Sequence, residues 1–170
     1  MIISRPFLVR LAYVSLSLAL FGMDRATKTL VVRRLPLYES VPVVEGFFHL
    51  THVANTGALF GLLAGLSSPL RGLIFVTVPI LAIFLIVAFQ LRSPETDLVT
   101  QVGLSLILGG ASGNLIDRIR YGEVVDFLDV HIASYHWPTF NVADASISLG
   151  AALLVLQMVR DRSKGEGHHA

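Results

Sequence analysis

GLIFVTVPILAIFLIVAFQL, residues 72–91, decides the fold of this chain. Arg71 and Arg92 bracket the stretch, and only Thr77, Pro79 and Gln90 interrupt its apolar character. A helix needs about 20 apolar residues to cross about 30 Å of hydrocarbon, and the charged groups beyond each end must reach water. The stretch therefore predicts a helix that spans a membrane.

Three further segments approach the same length and predict spanning helices: 8–32, 98–116 and 142–159. The first is the weakest, because only residues 11–23 are uninterrupted, and the last contains Asp144. Arg5 and Arg10 precede the first of them and resemble the start of a cleavable signal peptide. Because the apolar pattern continues beyond Asp24 and Lys28, we expect this helix to be retained. The predicted fold class is a mainly α membrane protein, a bundle of four transmembrane helices.

The composition of the whole chain agrees with a membrane protein. Of its 170 residues, 54% are hydrophobic and only 15% are charged, and the mean hydropathy is +0.69. This excess of apolar surface excludes both a soluble globule and a disordered chain. The net charge of +1 leaves no positive field for binding nucleic acid. Without cysteine, the chain has no disulfide, thiolate metal site or cysteine nucleophile.

The longest polar segment lies between the first two helices and has the patterning of β-strands. Its residues 41–60 are rich in Val, Phe, His and Thr, and Glu45-Gly46 is a candidate hairpin turn. A second strand-like segment covers residues 123–130. We therefore predict a small β-sheet on this side of the membrane, within a single integral membrane domain over residues 1–170.

Four crossings place both chain termini on one side of the membrane. The Lys and Arg residues divide into six on the side of the termini and seven on the opposite side, so their number does not fix the orientation. The charges that flank the two ends of the chain favour cytoplasmic termini. The predicted sheet would then be extracytoplasmic.

Ionisable groups within or beside membrane helices cost at least about 2.5–3.5 kcal/mol each on insertion scales, so each one requires an explanation. Alternating crossings bring one set of polar residues to the same membrane face: Asp24, Lys28, Asn114, Asp117, Arg118, Asp126, Asn141 and Asp144. Two acids of this set, Asp126 and Asp144, have no cation nearby in the sequence. Two carboxyl groups that meet in a poorly hydrated site share a proton and can activate water, as in aspartic proteases.

Each of these residues also has a simpler interpretation. Asp144 follows Asn141 by three positions, which is typical of a helix cap. Asp126 is compatible with a solvated residue on an edge strand, with Asp129 as an equally exposed neighbour. An ordinary ion pair within one helix is expected of two residues that stand four apart: Asp24 and Lys28.

Two other catalytic motifs are disfavoured by the positions of the histidines. GASG at residues 110–113 resembles a serine nucleophile within a helix, but Ser112 would need a histidine at similar depth, and the predicted spans contain none. A zinc peptidase motif HExxH is absent, and His49 and His52 on a strand would be poorly aligned for one metal ion. We expect no metal at the site.

Five blocks of sequence, in this order, resemble bacterial lipoprotein signal peptidase, the signal peptidase II family of aspartyl peptidases. They cover nearly the whole chain: MDRATK at 23–28, ANTGALF at 54–60, GGASGNLIDR at 109–118, VVDF at 124–127 and FNVADAS at 140–146. The blocks are specific jointly, although VVDF or ANTG alone would mean little. The chain departs from the family pattern at Arg25, where glutamine is common, and at Val142, where leucine is usual. Neither departure touches the acids.

The resemblance implies a four-helix membrane endopeptidase with a small extracytoplasmic sheet and a catalytic dyad formed by Asp126 and Asp144. It further implies that nine residues hold the dyad and the substrate backbone: Asp24, Lys28, Asn55, Gly110, Asn114, Asp117, Arg118, Asn141 and Ala143. No metal or cofactor is implied. The location implied is the bacterial cytoplasmic (inner) membrane, with cytoplasmic termini and the active site at the extracytoplasmic face.

The resemblance also implies the substrate, a diacylglyceryl-modified prolipoprotein that is cut immediately before its lipidated cysteine. Membrane lipid and globomycin-type cyclic peptide inhibitors are the other expected partners, nucleic acid is not, and we expect a monomer. The alternative from another class is a non-enzymatic four-helix carrier or scaffold, in which Asp24, Lys28 and Asp144 would form a buried polar relay. Loss of function on replacing Asp126 would distinguish the enzyme from the carrier.

Overall fold

The computed structural model describes residues 5–57, 68–132 and 135–166. These residues form four long helices: α1 (Arg5–Arg34), α2 (Ser68–Arg92), α3 (Leu98–Tyr121) and α4 (Val142–Glu166). They also form four strands: β1 (Ser40–Val44), β2 (Phe48–Asn55), β3 (Val124–Ile132) and β4 (Tyr135–His136). All four helices are long and apolar enough to cross a membrane. The predicted fold class is thereby confirmed, while residues 58–60 of the predicted strand segment lie outside the described residues.

Helix α3 is the central helix, since α1, α2 and α4 all pack against it. Its contact with α4 is close where Gly103 faces Gly150. A Cβ atom on Gly103 would lie 3.0 Å from the Gly150 carbonyl oxygen, and one on Gly150 would lie 2.5 Å from that of Gly103. Small residues at such a crossing let two backbones approach. In α2, by contrast, none of the residues in the apolar stretch is fully buried, and the side chains on its outer face, such as Phe84, are left to lipid.

Helix α3 continues to Tyr121, beyond the predicted end of the span at residue 116. Gly122 ends it in the left-handed conformation, with φ of 76°, and donates its N–H to the carbonyl oxygen of Arg118. The prediction ended the span before Asp117 because charged side chains usually mark the edge of the hydrocarbon. Asp117 is instead fully buried among protein partners, so the helix continues past it.

The strands form an antiparallel sheet in the order β1-β2-β3-β4. The hairpin between β1 and β2 turns at the predicted Glu45-Gly46 pair, where Gly46 has a φ of 74° that favours glycine. Strand β2 pairs with β3 along its length, and Val53 stands opposite Asp126. Strand β4 pairs only with His131 and Ile132 at the far end of β3, so β2 is the strand beside Asp126.

A small apolar core fixes the sheet to the end of α1. Val31, Leu35 and Phe127 are buried together, and Val142 of α4 packs against them. The ring Nδ1 of His52 lies 2.8 Å from the carbonyl oxygen of Leu35. Because a carbonyl oxygen only accepts, this nitrogen is the donor. The end of α1, strand β3 and the start of α4 are thus held at one level, where the polar residues gather.

Candidate active site

The start of α4 is a reciprocal cap made by Asn141 and Asp144. The Asp144 N–H donates to Asn141 Oδ1 over 2.9 Å, and the Asn141 N–H donates to Asp144 Oδ2 over 3.2 Å. The interpretation of Asp144 as a capping residue is therefore confirmed. The other oxygen, Oδ1, accepts from Asn114 Nδ2 over 2.7 Å. The cap fixes the carboxyl group and also directs it towards α3.

Asp126 is only 1% exposed, and amide donors occupy both of its carboxyl oxygens. Asn141 Nδ2 lies 2.6 Å from Oδ1, and Asn55 Nδ2 lies 2.8 Å from Oδ2. The interpretation of Asp126 as a solvated residue is wrong, because this part of β3 pairs with β2 on one side and packs on the helices through Phe127. Its neighbour Asp129 is likewise buried, at 8% exposure.

Burial raises the pKa of Asp126 from 3.8 to about 6. The hydrogen bond from Asn55 acts in the opposite direction, the negative charge of Asp144 raises the pKa further, and Asn141 and Lys28 lower it. Burial dominates because a carboxylate loses its hydration there. Asp126 thus holds a proton more readily than an ordinary aspartate.

Asn55 is positioned by the turn that ends β2. Its Oδ1 accepts the N–H of Gly57 over 2.8 Å, which leaves its Nδ2 to donate to Asp126. Gly57 has a φ of 84°, a conformation that side chains rarely adopt. A Cβ atom there would also lie 2.5 Å from Cε2 of Phe75 on α2. The turn at Asn55-Thr56-Gly57 therefore directs an amide at Asp126.

A cluster of four charged residues, of which only Arg25 is partly exposed, lies beside the two aspartates: Asp24, Arg25, Lys28 and Asp117. The Lys28 Nζ atom lies 2.9 Å from Asp24 Oδ2 and 2.8 Å from Asp117 Oδ2, and Arg25 pairs with Asp117 Oδ1. The intrahelical pair of Asp24 and Lys28 is present and is extended to α3. The two negative charges of the aspartates are thus balanced by the two positive charges of arginine and lysine, as buried charges require.

Lys28 also orients Asn114, because an ammonium group only donates hydrogen bonds. Its Nζ lies 2.8 Å from Asn114 Oδ1, so the amide nitrogen of Asn114 turns towards Asp144. Asn114 Oδ1 also accepts from Asn141 Nδ2 over 3.2 Å. Lys28 therefore determines that Asn114 turns its amide nitrogen, and not its oxygen, towards the carboxyl group of Asp144.

Backbone contacts hold α4 against α1 and α3. The Ala143 N–H donates to Asp24 Oδ1 over 3.1 Å, and Ala143 is fully buried. A Cβ atom on Gly110 would run into the carbonyl oxygen of Ala143, and one on Gly113 would run into Asp24. The glycines of the GGASGN block therefore make room for the first turn of α4 and for the ion cluster.

Asp126 and Asp144 line one cavity of about 560 Å³. Its walls are formed by α3, β3, the β4–α4 connection and α4, and include the amides of two asparagines, a cation and an aromatic ring: Asn55, Asn114, Arg118 and Trp137. The guanidinium carbon of Arg118 lies 5.3 Å from the centre of the Phe75 ring. Such a cavity can hold an extended peptide segment beside the two acids.

Sequence reasoning missed two residues of this arrangement, Phe75 and the role of Arg25. Phe75 is one apolar residue among many in α2, so its contacts with Gly57 and Arg118 have no signal in the sequence. Arg25 departs from the family pattern, and a pair of acids with a single lysine is the signal that a second cation is needed.

The competing catalytic residues lie elsewhere. Ser112 lines a separate, mostly apolar cavity between α1 and α3. His49 and His52 diverge, since the His49 ring packs on His131 while His52 faces Leu35. Across residues 5–57, 68–132 and 135–166, no three His, Asp or Glu side chains are grouped to hold a metal ion.

Comparison with known proteins agrees with this architecture. The family profile described as "Signal peptidase (SPase) II" matches residues 16–160. The "Lipoprotein signal peptidase" of Syntrophus aciditrophicus (strain SB) is 46% identical over 142 residues, which cover 84% of this chain and 88% of that protein. The protein of the same name from Desulforapulum autotrophicum is 47% identical over 152 residues, covering 89% of this chain and 93% of that protein.

A solved structure described as a bacterial membrane enzyme superposes with a TM-score of 0.81 at 31% identity, and the match covers 90% of each chain. The four apolar helices and these similarities lead to one conclusion. The chain is a multi-pass membrane peptidase that belongs to the signal peptidase II family.

Proposed function

We propose that this enzyme removes the signal peptide from diacylglyceryl-modified prolipoproteins, cutting immediately before the lipidated cysteine. Asp126 and Asp144 are the catalytic pair, and one water molecule between them is the nucleophile. The observation that carries the proposal is their connection through Asn141, whose side chain donates to Asp126 and whose backbone N–H donates to Asp144. One residue thereby holds two acids on the wall of one cavity.

We assign different roles to the two acids on the basis of their environments. Asp126 is the acid that holds the proton, because burial raises its pKa to about 6. Asp144 is the carboxylate, because an amide, a backbone N–H and the positive end of α4 all stabilise negative charge on it. The apparent titrations belong to the pair.

The reaction then needs only these two groups and water. Asp144 takes a proton from the water molecule while the water oxygen attacks the scissile carbonyl carbon. Asp126 donates its proton to the carbonyl oxygen. The tetrahedral intermediate breaks at the C–N bond. The leaving amine takes the proton from Asp144, and a hydroxyl of the intermediate returns a proton to Asp126, which restores both acids.

The place of the cavity suits a substrate held in the membrane. The dyad lies where α3 and α4 meet the sheet, so a hydrophobic signal peptide can lie along the helices while its cut site reaches the acids. The relatives' printed name refers to lipoproteins, and lipidated cysteine would keep its acyl chains in the bilayer. We place the enzyme as a monomer in the bacterial inner membrane, with both termini cytoplasmic.

The experiment compares purified Asp126→Asn, Asp144→Asn and the double variant on a diacylglyceryl-modified prolipoprotein. Each single change should lower kcat by at least about 10³-fold, and the double change should cost little more, because the two acids act as one unit. Ser112→Ala is the matched control and should still cut. Appreciable cleavage by either single variant would contradict the dyad and favour the carrier alternative.

Inhibition provides an independent test of the same site. A globomycin-type cyclic peptide should compete with the prolipoprotein, because it would occupy the cavity beside the two acids. A chelator should leave the rate unchanged, since the proposed steps use only carboxyl groups and water. Loss of activity in EDTA that added metal restores would contradict this mechanism.

A further inference from the structure

A second cavity lies on the face of β3 that is turned away from the aspartates. Side chains alternate between the faces of a strand, so Val124 and Asp126 line the first cavity while Val125 lines the second. The second cavity measures about 330 Å³ and lies between the end of α1, the end of α3 and the sheet. Nothing in the proposed peptidase reaction uses it.

Two opposite charges line this second cavity without pairing with each other. Arg33 near the end of α1 and Glu123 before β3 both reach it. Within residues 5–57, 68–132 and 135–166, neither forms an ion pair or a side-chain hydrogen bond. The other charged residues on its wall already have partners in the buried cluster: Arg25, Lys28 and Asp117. The cavity therefore offers one free cation and one free anion among these described residues.

Thr29 and His52 also line the cavity, and its apolar lining residues lie at the level where the spans end. Val32, Leu37 and Tyr121 are 51%, 46% and 58% exposed, respectively. Val32 and Arg33 stand in the last turn of α1, and Tyr121 is the last residue of α3. Tyrosine and arginine at the end of a span are typical of the headgroup region of a bilayer.

We propose that this cavity binds the headgroup of a phospholipid that carries both a phosphate and a primary ammonium, such as phosphatidylethanolamine. The Arg33 guanidinium donates to the phosphate, as the planar fork of arginine does in many phosphate sites. The Glu123 carboxylate accepts from the ammonium. Val32 and Leu37 contact the glycerol and the first carbons of the acyl chains. The two unpaired charges of opposite sign favour this zwitterion over a purely anionic lipid.

The test is native mass spectrometry of the full-length protein from micelles that contain equal amounts of phosphatidylethanolamine and phosphatidylcholine. The wild type should retain phosphatidylethanolamine preferentially. Arg33→Gln should lower this retention by about tenfold, the value of one charge-assisted contact. Glu123→Leu should bring the two lipids to equal retention, because it removes the acceptor that the primary ammonium of phosphatidylethanolamine can use and the quaternary ammonium of phosphatidylcholine cannot.

Arg34→Gln is the matched control, since Arg34 stands in the same helical turn and does not line the cavity. It should bind lipid as the wild type does. Equal retention by the wild type and Arg33→Gln, or equal losses in Arg33→Gln and Arg34→Gln, would overturn the proposal. Displacement of the lipid by equimolar soluble glycerophosphoethanolamine would also overturn the proposal, because the site would then bind a soluble metabolite and not a membrane lipid. Thermal unfolding of each variant in lipid-free detergent should match the wild type.

Discussion

The guanidinium of Arg118 lies over the ring of Phe75, with 5.3 Å between its central carbon and the ring centre. Phe75 also lies against Gly57, where a Cβ atom would be only 2.5 Å from the ring. One aromatic side chain on the lipid-facing helix α2 thus contacts the turn that positions Asn55 and the cation on the cavity wall. Helix α2 therefore shapes the candidate active site although it contributes no acid.

Replacing Phe75 by leucine should weaken this arrangement, because leucine keeps apolar bulk but has no negative ring face for Arg118. We expect a loss of about 1 kcal/mol, or about fivefold in kcat/KM on a prolipoprotein substrate. Phe75→Tyr should restore the activity. Phe84→Leu is the control, since Phe84 is 68% exposed on the same helix. Equal activity in Phe75→Leu and Phe84→Leu would show that the cation–π contact has no effect.

The pKa of Asp126 predicts how activity depends on pH. Because burial raises this pKa to about 6, the protonated acid is lost as the pH rises through that value. We expect kcat/KM to fall on the alkaline side with a midpoint near pH 6. The measurement is a pH profile of kcat/KM in detergent micelles, with protein stability checked at each pH. A profile that stays flat from pH 5 to pH 8 would contradict the role of Asp126 as the proton donor.

The same raised pKa predicts how the free energy of unfolding changes with pH. The change has the opposite sign to that of a salt-bridged aspartate, whose pKa is lowered. The folded protein binds the Asp126 proton up to about pH 6, whereas the unfolded chain releases it near 3.8. The stabilisation is fully present below pH 3.8 and is lost as the pH rises to about 6.

The wild type should therefore lose about 2–3 kcal/mol of unfolding free energy across this window relative to Asp126→Asn. Unfolding followed by circular dichroism at several pH values measures the difference. If the unfolding free energies of the two proteins changed with pH in parallel, Asp126 would have the pKa of an ordinary exposed acid.

Much of this fold and site could be predicted from the sequence, because the bilayer imposes length and polarity rules on the chain. Arg71 and Arg92 mark the ends of one span, and a buried acid such as Asp24 requires a partner within reach. The blocks around Asp126 and Asp144 resemble a family whose profile then matched.

The sequence could not predict contacts that depend on how separate helices pack. Arg25 and Asp117 are 92 positions apart, and their pairing follows only from the crossing of α1 and α3. The burial of Asp126 likewise depends on tertiary packing, because β3 docks on the ends of α1 and α4 and two asparagines from other elements reach its carboxyl group. Both the ion pair and the burial depend on contacts between residues that are distant in the sequence, and the local sequence pattern does not predict them.

The close approach of α3 and α4 can be tested at Gly110. A Cβ atom there would meet the carbonyl oxygen of Ala143 and would lie 2.9 Å from Cγ1 of Ile147, so α4 would have to move and carry Asp144 with it. Gly110→Ala should cost about 1–3 kcal/mol of stability and should lower kcat.

Gly22→Ala provides the control for this helix substitution. A Cβ atom on Gly22 would meet nothing within 4 Å, so the change should be neutral or slightly stabilising. Thermal unfolding in micelles together with prolipoprotein cleavage measures both effects. If Gly110→Ala were as stable and active as Gly22→Ala, the backbone contact between α3 and α4 would not hold the acid in place.

The proposed orientation can be tested with introduced cysteines, because the natural sequence contains none and gives no background. Glu45 lies in the exposed β-hairpin turn, and Thr96 lies in the exposed turn between α2 and α3, at the opposite end of the helices. Single Glu45→Cys and Thr96→Cys variants should both react with a maleimide in lysed cells. In intact spheroplasts, a membrane-impermeant maleimide should label Glu45→Cys alone, since the hairpin is on the side of the active site. Labelling of Thr96→Cys alone would reverse the orientation and would place the two aspartates at the cytoplasmic face.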